Sequence, residues 1–363
     1  MGSGTQTDLA LICHWPHDKA YWLDDALRKR GFCVTRFSRK WKRYQLGEGR
    51  GRVRSYVRAL RLGAWAAWFA DRHGTVVVAS EGDLAGVFAA IVPPVKGLHR
   101  RPVLCTNLIL YDRPGMTTSL RKLLYRLALR NPRIIFTVSS GSLRQHYAAL
   151  LRADPGRFLV LSDCYAPGHR SFAQHDPTCD GGYVFAGGDA ARDWPTTIAV
   201  AQACPEIPFH FVALRRTWPD LAVPPNVQLE FDVPLADFWE ATRNARLVLV
   251  LLTNDVVTAG LIVVTHAALM GSTVIASRTA ATEGYFPPAN ADLLVPMGDA
   301  ERVVGLVRYH WNDAEARQRA AERLQHHVME SYSPEAYSTV IADTIRRLQE
   351  ASAPQDQAGS TAP

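Results

Sequence analysis

The sequence predicts an α/β protein made of two parallel-sheet domains. Its 363 residues exceed the usual span of one domain. Short apolar runs (Thr75–Ala79, Ile134–Val138, Leu247–Leu252, Thr273–Ser277) alternate with helical stretches, as strands buried on both faces do. That alternation begins twice, at Leu9 and at Tyr183, on either side of a stretch rich in Pro, Gly, His and Asp. The expected organisation is an N-terminal domain over 1–165, a linker over 166–182, a second domain over 183–332, a C-terminal helix over 333–350 and a disordered tail over 351–363.

The net charge of +7 conceals an asymmetry. Residues 1–170 hold 28 Lys/Arg against 11 Asp/Glu, whereas residues 171–330 hold 11 against 19. The first half should therefore face something anionic. Six cysteines stand at 13, 33, 105, 164, 179 and 204 without a Cys-x-x-Cys pair, the usage of reduced, buried thiols. The first residues, MGSGTQTD, have neither a basic nor an apolar segment of a signal peptide. No run approaches the ~20 apolar residues that cross a bilayer. The expected location is the cytoplasm, with peripheral attachment to the inner face of a membrane left open.

In the N-terminal half, Leu9–Cys13 reads as a strand, Ala20–Lys29 as an amphipathic helix and Cys33–Phe37 as a second strand. The loop between the first strand and helix carries His14 and Trp15, at the strand edge where such sheets bind ligands. Residues 28–61 hold 13 basic residues and one acid, with Trp41, Tyr44 and Tyr56 interleaved, and a helix over Arg52–Phe69 overlaps them. This is either a solvated helix face or a docking surface for an anionic membrane. No nucleic-acid motif accompanies it, so no nucleic-acid partner is expected. Strands follow at Thr75–Ala79, Pro102–Asn107, Ile134–Val138 and Phe158–Leu161. Polar residues close them: Glu81, Asp83, Asn107, Asp112, Ser139 and Ser140. The carboxylates Glu81, Asp83 and Asp112 are the catalytic candidates. His14, Trp15, Asn107 and Ser140 are the candidates for an acceptor-side cleft.

In the C-terminal half, strand Tyr183–Ala186 runs into Gly187-Gly188 and then a helix ending near Ala203. Strands at Phe209–Ala213, Val227–Leu229 and Leu247–Leu252 follow, with a helix over Leu235–Asn244. Thr258-Ala259-Gly260 then opens a helix over Leu261–Met270, which stops at Gly271 before the strand Thr273–Ser277. A small-residue turn that opens a helix presents free N–H groups and the positive end of the dipole, a cradle for phosphate. Helices over Asp299–Asn312, Asp313–Ser331 and Pro334–Glu350 complete the chain.

An ordered run of segments resembles the donor domain of GT-B glycosyltransferases of the family-4, group 1 kind. The segments are GGDAARDWPTTIAVA at Gly187–Ala201, VALRR at Val212–Arg216, PPNVQLE at Pro224–Glu230, VPLADFWE at Val233–Glu240, ARLVLVLL at Ala245–Leu252, TAGLIVVTHAALMGSTVIASRTAATEGYF at Thr258–Phe286 and LLVPMGDAE at Leu293–Glu301. HWPHDKAYWLDDALRKRG, SEGDLAG and FTVSS resemble the acceptor domain more loosely. The resemblance implies two Rossmann-like domains facing across a cleft and a nucleotide-sugar donor. It also implies transfer with retention of configuration. No clean Asp-x-Asp metal motif is present, Glu81-Gly82-Asp83 being the nearest, so no cofactor and no obligatory metal are expected. By position, Gly188, Arg192 and Arg215 would meet the diphosphate, with Arg216 an alternative to Arg215. Thr258, Ala259, Gly260 and Leu261 would offer the helix N-terminus, His266 would face the ribose, and Glu283 would face the donor sugar. The family's Glu-x7-Glu pair is replaced here by Thr258 and His266, and Asp189 stands where an arginine is common. These departures keep two alternatives open: a non-catalytic nucleotide-sugar binder or membrane-associated paralogue, and a nucleotide-sugar epimerase.

Overall fold

The computed structural model describes residues 7–13, 20–38, 50–80, 84–94, 100–110, 114–165, 167–174, 182–255 and 260–351. The chain divides into two compact units. Unit 1 comprises residues up to Val138, Arg144–Leu161 and the chain from Tyr337 onward; unit 2 comprises Ser139–Leu143 and Ser162–Ala336.

Unit 1 contains strands β1 (Thr7–Cys13), β2 (Phe32–Ser38), β3 (Val76–Ala79), β4 (Val103–Cys105), β5 (Ile134–Val138) and β6 (Phe158–Val160). They form one parallel sheet in the order β2-β1-β3-β4-β5-β6. The interleaved helices are α1 (Trp22–Lys29), α2 (Arg50–His73), α3 (Leu84–Ile91), α4 (Met116–Leu129) and α5 (Gly141–Leu151). The central strands are apolar on both sides because helices cover both faces, and Val76, Val77 and Val78 are wholly buried. Helices α2, α3 and α4 pack side by side. Gly63 makes the α2–α3 approach possible, since a Cβ there would meet the Ala85 carbonyl at 2.3 Å.

Unit 2 contains β7 (Val184–Gly188), β8 (Phe209–Ala213), β9 (Val227–Phe231), β10 (Leu247–Val250), β11 (Thr273–Ser277) and β12 (Leu294–Val295), in the parallel order β12-β11-β10-β7-β8-β9. Its helices are α6 (Trp194–Ala203), α7 (Leu235–Arg243), α8 (Leu261–Leu269), α9 (Ala300–Asn312) and α10 (Ala314–Ser331). A last helix, α11 (Pro334–Glu350), begins in unit 2 and runs into unit 1.

Two strands end earlier than their apolar runs suggest. The run at 102–107 pairs only over Val103–Cys105, because Asn107 takes a left-handed φ of 53° and donates its N–H to Thr137 Oγ1. Past Val250, the backbone of Leu251–Thr253 bonds to the loop after β7 instead of continuing the parallel ladder. Within the expected linker, Pro167–Gln174 forms 3-10 turns. The thiols of Cys33, Cys164 and Cys204 are not joined in disulfides.

Candidate functional site

Parallel strands place all their C-terminal ends on one edge of a sheet. In unit 2 the chain leaves β7 toward β8 and β9, then returns to build β10, β11 and β12 on the other side. The order therefore reverses between β7 and β10. In open α/β sheets, ligands bind in the crevice outside the carboxyl ends at such a reversal.

Arg192 sits at that point, in the loop between β7 and α6. The loop is clamped to the end of β10: Asp193 N–H donates to the Leu251 carbonyl (3.0 Å) and Thr253 N–H to the Ala191 carbonyl (3.0 Å). Asp193 also caps α6 by accepting from Thr196 N–H at 3.1 Å. The Arg192 guanidinium donates from Nε to the Gly187 carbonyl at 2.7 Å. It fills the space that side chains at Gly188 and Gly260 would occupy. A Cβ on Gly188 would meet its Nη2 at 2.3 Å, and one on Gly260 its Nη1 at 2.9 Å. Both glycines have positive φ (126° and 82°), so their absent side chains serve backbone conformation as well as space. Among the described residues no carboxylate forms an ion pair with Arg192. Burial draws its pKa down to about 10, with Asp189 opposing. A desolvated cation of this kind gains from an anion placed beside it.

Gly260 begins α8, and no described side chain caps that N-terminus. The first N–H groups of the helix thus point at the crevice edge with the positive end of the dipole. Gly188, Arg192 and the start of α8 at Gly260 are brought together at this edge. Thr258 and Ala259 lie outside the described residues.

At the end of β8, the two arginines diverge. The Arg215 guanidinium stacks over the Phe231 ring at 3.6 Å, and the Arg215 backbone N–H donates to Asp232 Oδ1 at 3.2 Å. Arg216 instead reaches back to the β7 loop and donates to Asp189 Oδ2 at 2.8 Å. Asp189 therefore occupies the usual place of a loop cation but holds one there through Arg216. The Arg-Arg doublet was legible in the sequence; which arginine turns toward the loop was not.

His266 points inward. It is 3% exposed, and its ring lies 4.4 Å from that of Trp239 on α7. Its Nδ1 bonds the Ile262 carbonyl at 2.5 Å, and its Nε2 meets His169 Nδ1. Burial pulls its pKa down to about 4; the Ile262 bond opposes this and His169 adds to it. The imidazole is neutral and joins α8, α7 and the 3-10 segment. No local motif announces His169 and Trp239, which are 97 and 27 positions away.

Glu283 lies at the sheet edge after β11, exposed, with Oε1 at 3.7 Å from Arg278 Nη1. The turn that carries it is fixed by buried hydroxyls: Thr282 Oγ1 donates to the Ser277 carbonyl (2.7 Å) and accepts from Thr279 N–H (2.9 Å). Asp255 Oδ1 accepts from Ala280 N–H at 2.8 Å and ties this turn to the end of β10. Asp255 is a site-edge residue that sequence reasoning missed.

In unit 1, Asn107 ends β4 in the left-handed conformation described above. Ser140, in unit 2, accepts from Leu143 N–H at 3.1 Å. The catalytic candidates Glu81, Asp83 and Asp112, with His14 and Trp15, lie outside the described residues. Among the described residues no cluster of three His, Cys, Asp or Glu is placed to hold a metal ion.

Residues 195–343 match the family model described as "Glycosyl transferase-like". No curated protein matches the chain in sequence. The structure resembles that of HepE from Anabaena in complex with UDP and glucose, at TM-score 0.61 and 14% identity over 94% of this chain and 100% of that one. It resembles sucrose-phosphate synthase from Thermosynechococcus elongatus at TM-score 0.68 and 16% identity, over 95% and 100% of the two chains. It also resembles a UDP-forming α,α-trehalose-phosphate synthase from Burkholderia xenovorans at TM-score 0.65 and 10% identity, over 94% and 99%. The two parallel six-stranded sheets are those of the GT-B fold.

Proposed function

We propose that this chain, of GT-B fold and matching a glycosyltransferase family model over residues 195–343, transfers a sugar from a nucleoside-diphosphate sugar to an acceptor. The observation that carries the reading is Arg192, seated between Gly188 and Gly260 at the reversal of the unit 2 sheet, beside the start of α8. Cleaving the donor's glycosidic bond leaves negative charge on the diphosphate. A fixed guanidinium and a helix N-terminus stabilise that charge as it develops. Arg216, held by Asp189, adds a second cation at the same loop. Since these groups are cationic already, the reaction needs no obligatory metal, and chelation by EDTA should leave the rate unchanged.

UDP is the first nucleotide to test, because the solved structures similar to this chain include complexes of HepE with UDP and with UDP-glucose. Transfer with retention of configuration follows from the family resemblance. The basic N-terminal half is the side for the acceptor, with a lipid-linked or other glycan as its class.

A non-catalytic nucleotide-sugar binder is the second reading, and His266 favours it. The residue in place of the ribose-binding carboxylate is packed inward with both ring nitrogens engaged. One experiment separates the readings. Thermal shifts are measured with UDP, GDP, ADP and dTDP, and nucleotide release from the matching sugar donors is followed. Stabilisation with release supports the transferase. Stabilisation without release, across lipid-linked and soluble acceptors, supports the binder. No stabilisation by any diphosphate sinks both.

A further inference from the structure

Unit 1 carries a surface unrelated to the donor site. The outward positions of α2 recur every three or four residues, so they form one stripe opposite the buried Ala59, Leu62, Ala66 and Ala70. On that stripe Arg54, Arg58, Arg61 and Arg72 bracket two indoles, Trp65 (57% exposed) and Trp68 (49% exposed). The Arg72 guanidinium lies over the Trp68 ring at 5.0 Å. The single acid of α2, Asp71, is turned inward and paired with Arg101 at 2.6 Å, so it leaves the stripe's charge intact. In the same helical layer, on the other side of α3, α4 has no acid at all. It exposes Met116, Leu120 and Leu123, spaced to lie on one face, with Arg126 beside them. Both helices flank α3.

Exposed apolar residues gathered on one face and rimmed by charge mark an interaction surface. The cover here is anionic, because four guanidiniums accompany the α2 indoles and the helix's own acid is buried. It must also accept an apolar insertion from two separate helices. A nucleic-acid backbone meets the first condition but leaves Met116, Leu120 and Leu123 in water. An anionic bilayer meets both: headgroups neutralise the arginines, and indoles and aliphatic chains enter the headgroup–acyl boundary. Among the described residues no helix is long and apolar enough to cross a membrane, so the contact is in the plane of the surface.

We propose that the outer faces of α2 and α4 dock unit 1 on an anionic lipid bilayer. The test is flotation of the full chain with phosphatidylcholine vesicles, with and without phosphatidylglycerol, at low and high salt. The expected result is recovery with phosphatidylglycerol at low salt, reduced by high salt, and little recovery on phosphatidylcholine alone. Replacing Arg58→Gln and Arg61→Gln together should lower the partition coefficient on the order of 30-fold. Trp65→Ser with Trp68→Ser, and separately Leu120→Ser with Leu123→Ser, should also lower it. These positions are exposed, so the melting temperature of each variant reports whether the fold is intact. Wild-type protein that stays unbound at low salt overturns the proposal, as does equal recovery on both vesicle types. Well-folded variants that bind like wild type overturn it too. Retention on duplex DNA without vesicle recovery overturns it in favour of a nucleic-acid partner.

Discussion

At the residue scale, Arg192 and His266 are placed by the fold in two different surroundings. Both are singled out by position in the resemblance, and both are pulled toward neutrality by burial. Arg192 ends among glycines and backbone at the crevice, whereas His266 ends against Trp239 and His169. Arg192→Gln should weaken UDP binding roughly tenfold to a hundredfold, the scale of hydrogen bonds to a charged group. Titration calorimetry measures this, and a melting temperature near wild type in the absence of nucleotide would separate lost binding from lost folding. For His266 the folded pKa of about 4 lies below the ordinary 6.5. The unfolded chain therefore takes up a proton first as pH falls. Stability from the neutral imidazole is complete above the ordinary value and is lost as pH drops from there toward the folded one. The loss reaches about 3 kcal/mol, at ~1.4 kcal/mol per pH unit. Melting curves across that window should shift less in His266→Gln. His266→Glu would bury a carboxylate against two rings and should cost about 3–5 kcal/mol; a variant as stable as wild type would mean the side chain reaches solvent or ligand instead.

At the scale of elements, the site is made by what happens just after strands end. The apolar runs of β7, β10 and β11 were legible because a strand covered on both faces must be apolar throughout. Their ends were not legible, since they depend on backbone partners from distant loops, as when Ala191 and Asp193 claim the bonds of Leu251 and Thr253. The two helix starts at the site differ for a reason that can be read locally. Asp193 caps α6 with its own side chain, and Gly260 cannot cap α8. The turn after β11 relies instead on Thr282, which is fully buried and bonded to Ser277 and Thr279. Thr282→Val keeps the shape but leaves those backbone groups unpaired, and should cost ~1–3 kcal/mol in a chemical denaturation experiment. It should also loosen the turn that positions Glu283, which donor-sugar affinity would report.

At the scale of the whole molecule, unit 1 is completed by the end of the chain. Ile341, Ala342 and Ile345 on α11 are wholly buried, the Tyr337 ring lies 5.7 Å from that of Trp22, and Arg30 donates to Thr339 Oγ1 at 3.0 Å. Each buried isoleucine contributes ~1.5–3 kcal/mol, a large share of a domain's net stability. A polypeptide of residues 1–161 alone should thus fail to unfold cooperatively, and one in which 337–351 is joined to it should recover a cooperative transition. Cooperative unfolding of residues 1–161 by themselves would show that α11 is dispensable.

The amino-acid order by itself determined the class of fold, the two-fold recurrence of the α/β pattern, the charge asymmetry and the glycines of the crevice. Each is a local or additive property, set by periodicity, by composition or by where a backbone tolerates no side chain. Only the tertiary structure decided that Arg216 and not Arg215 turns to Asp189, that His266 faces inward, that Asp255 braces the β11 turn and that α11 runs into unit 1. Those outcomes join residues far apart in the chain, and sheet order and helix packing set the distances between them.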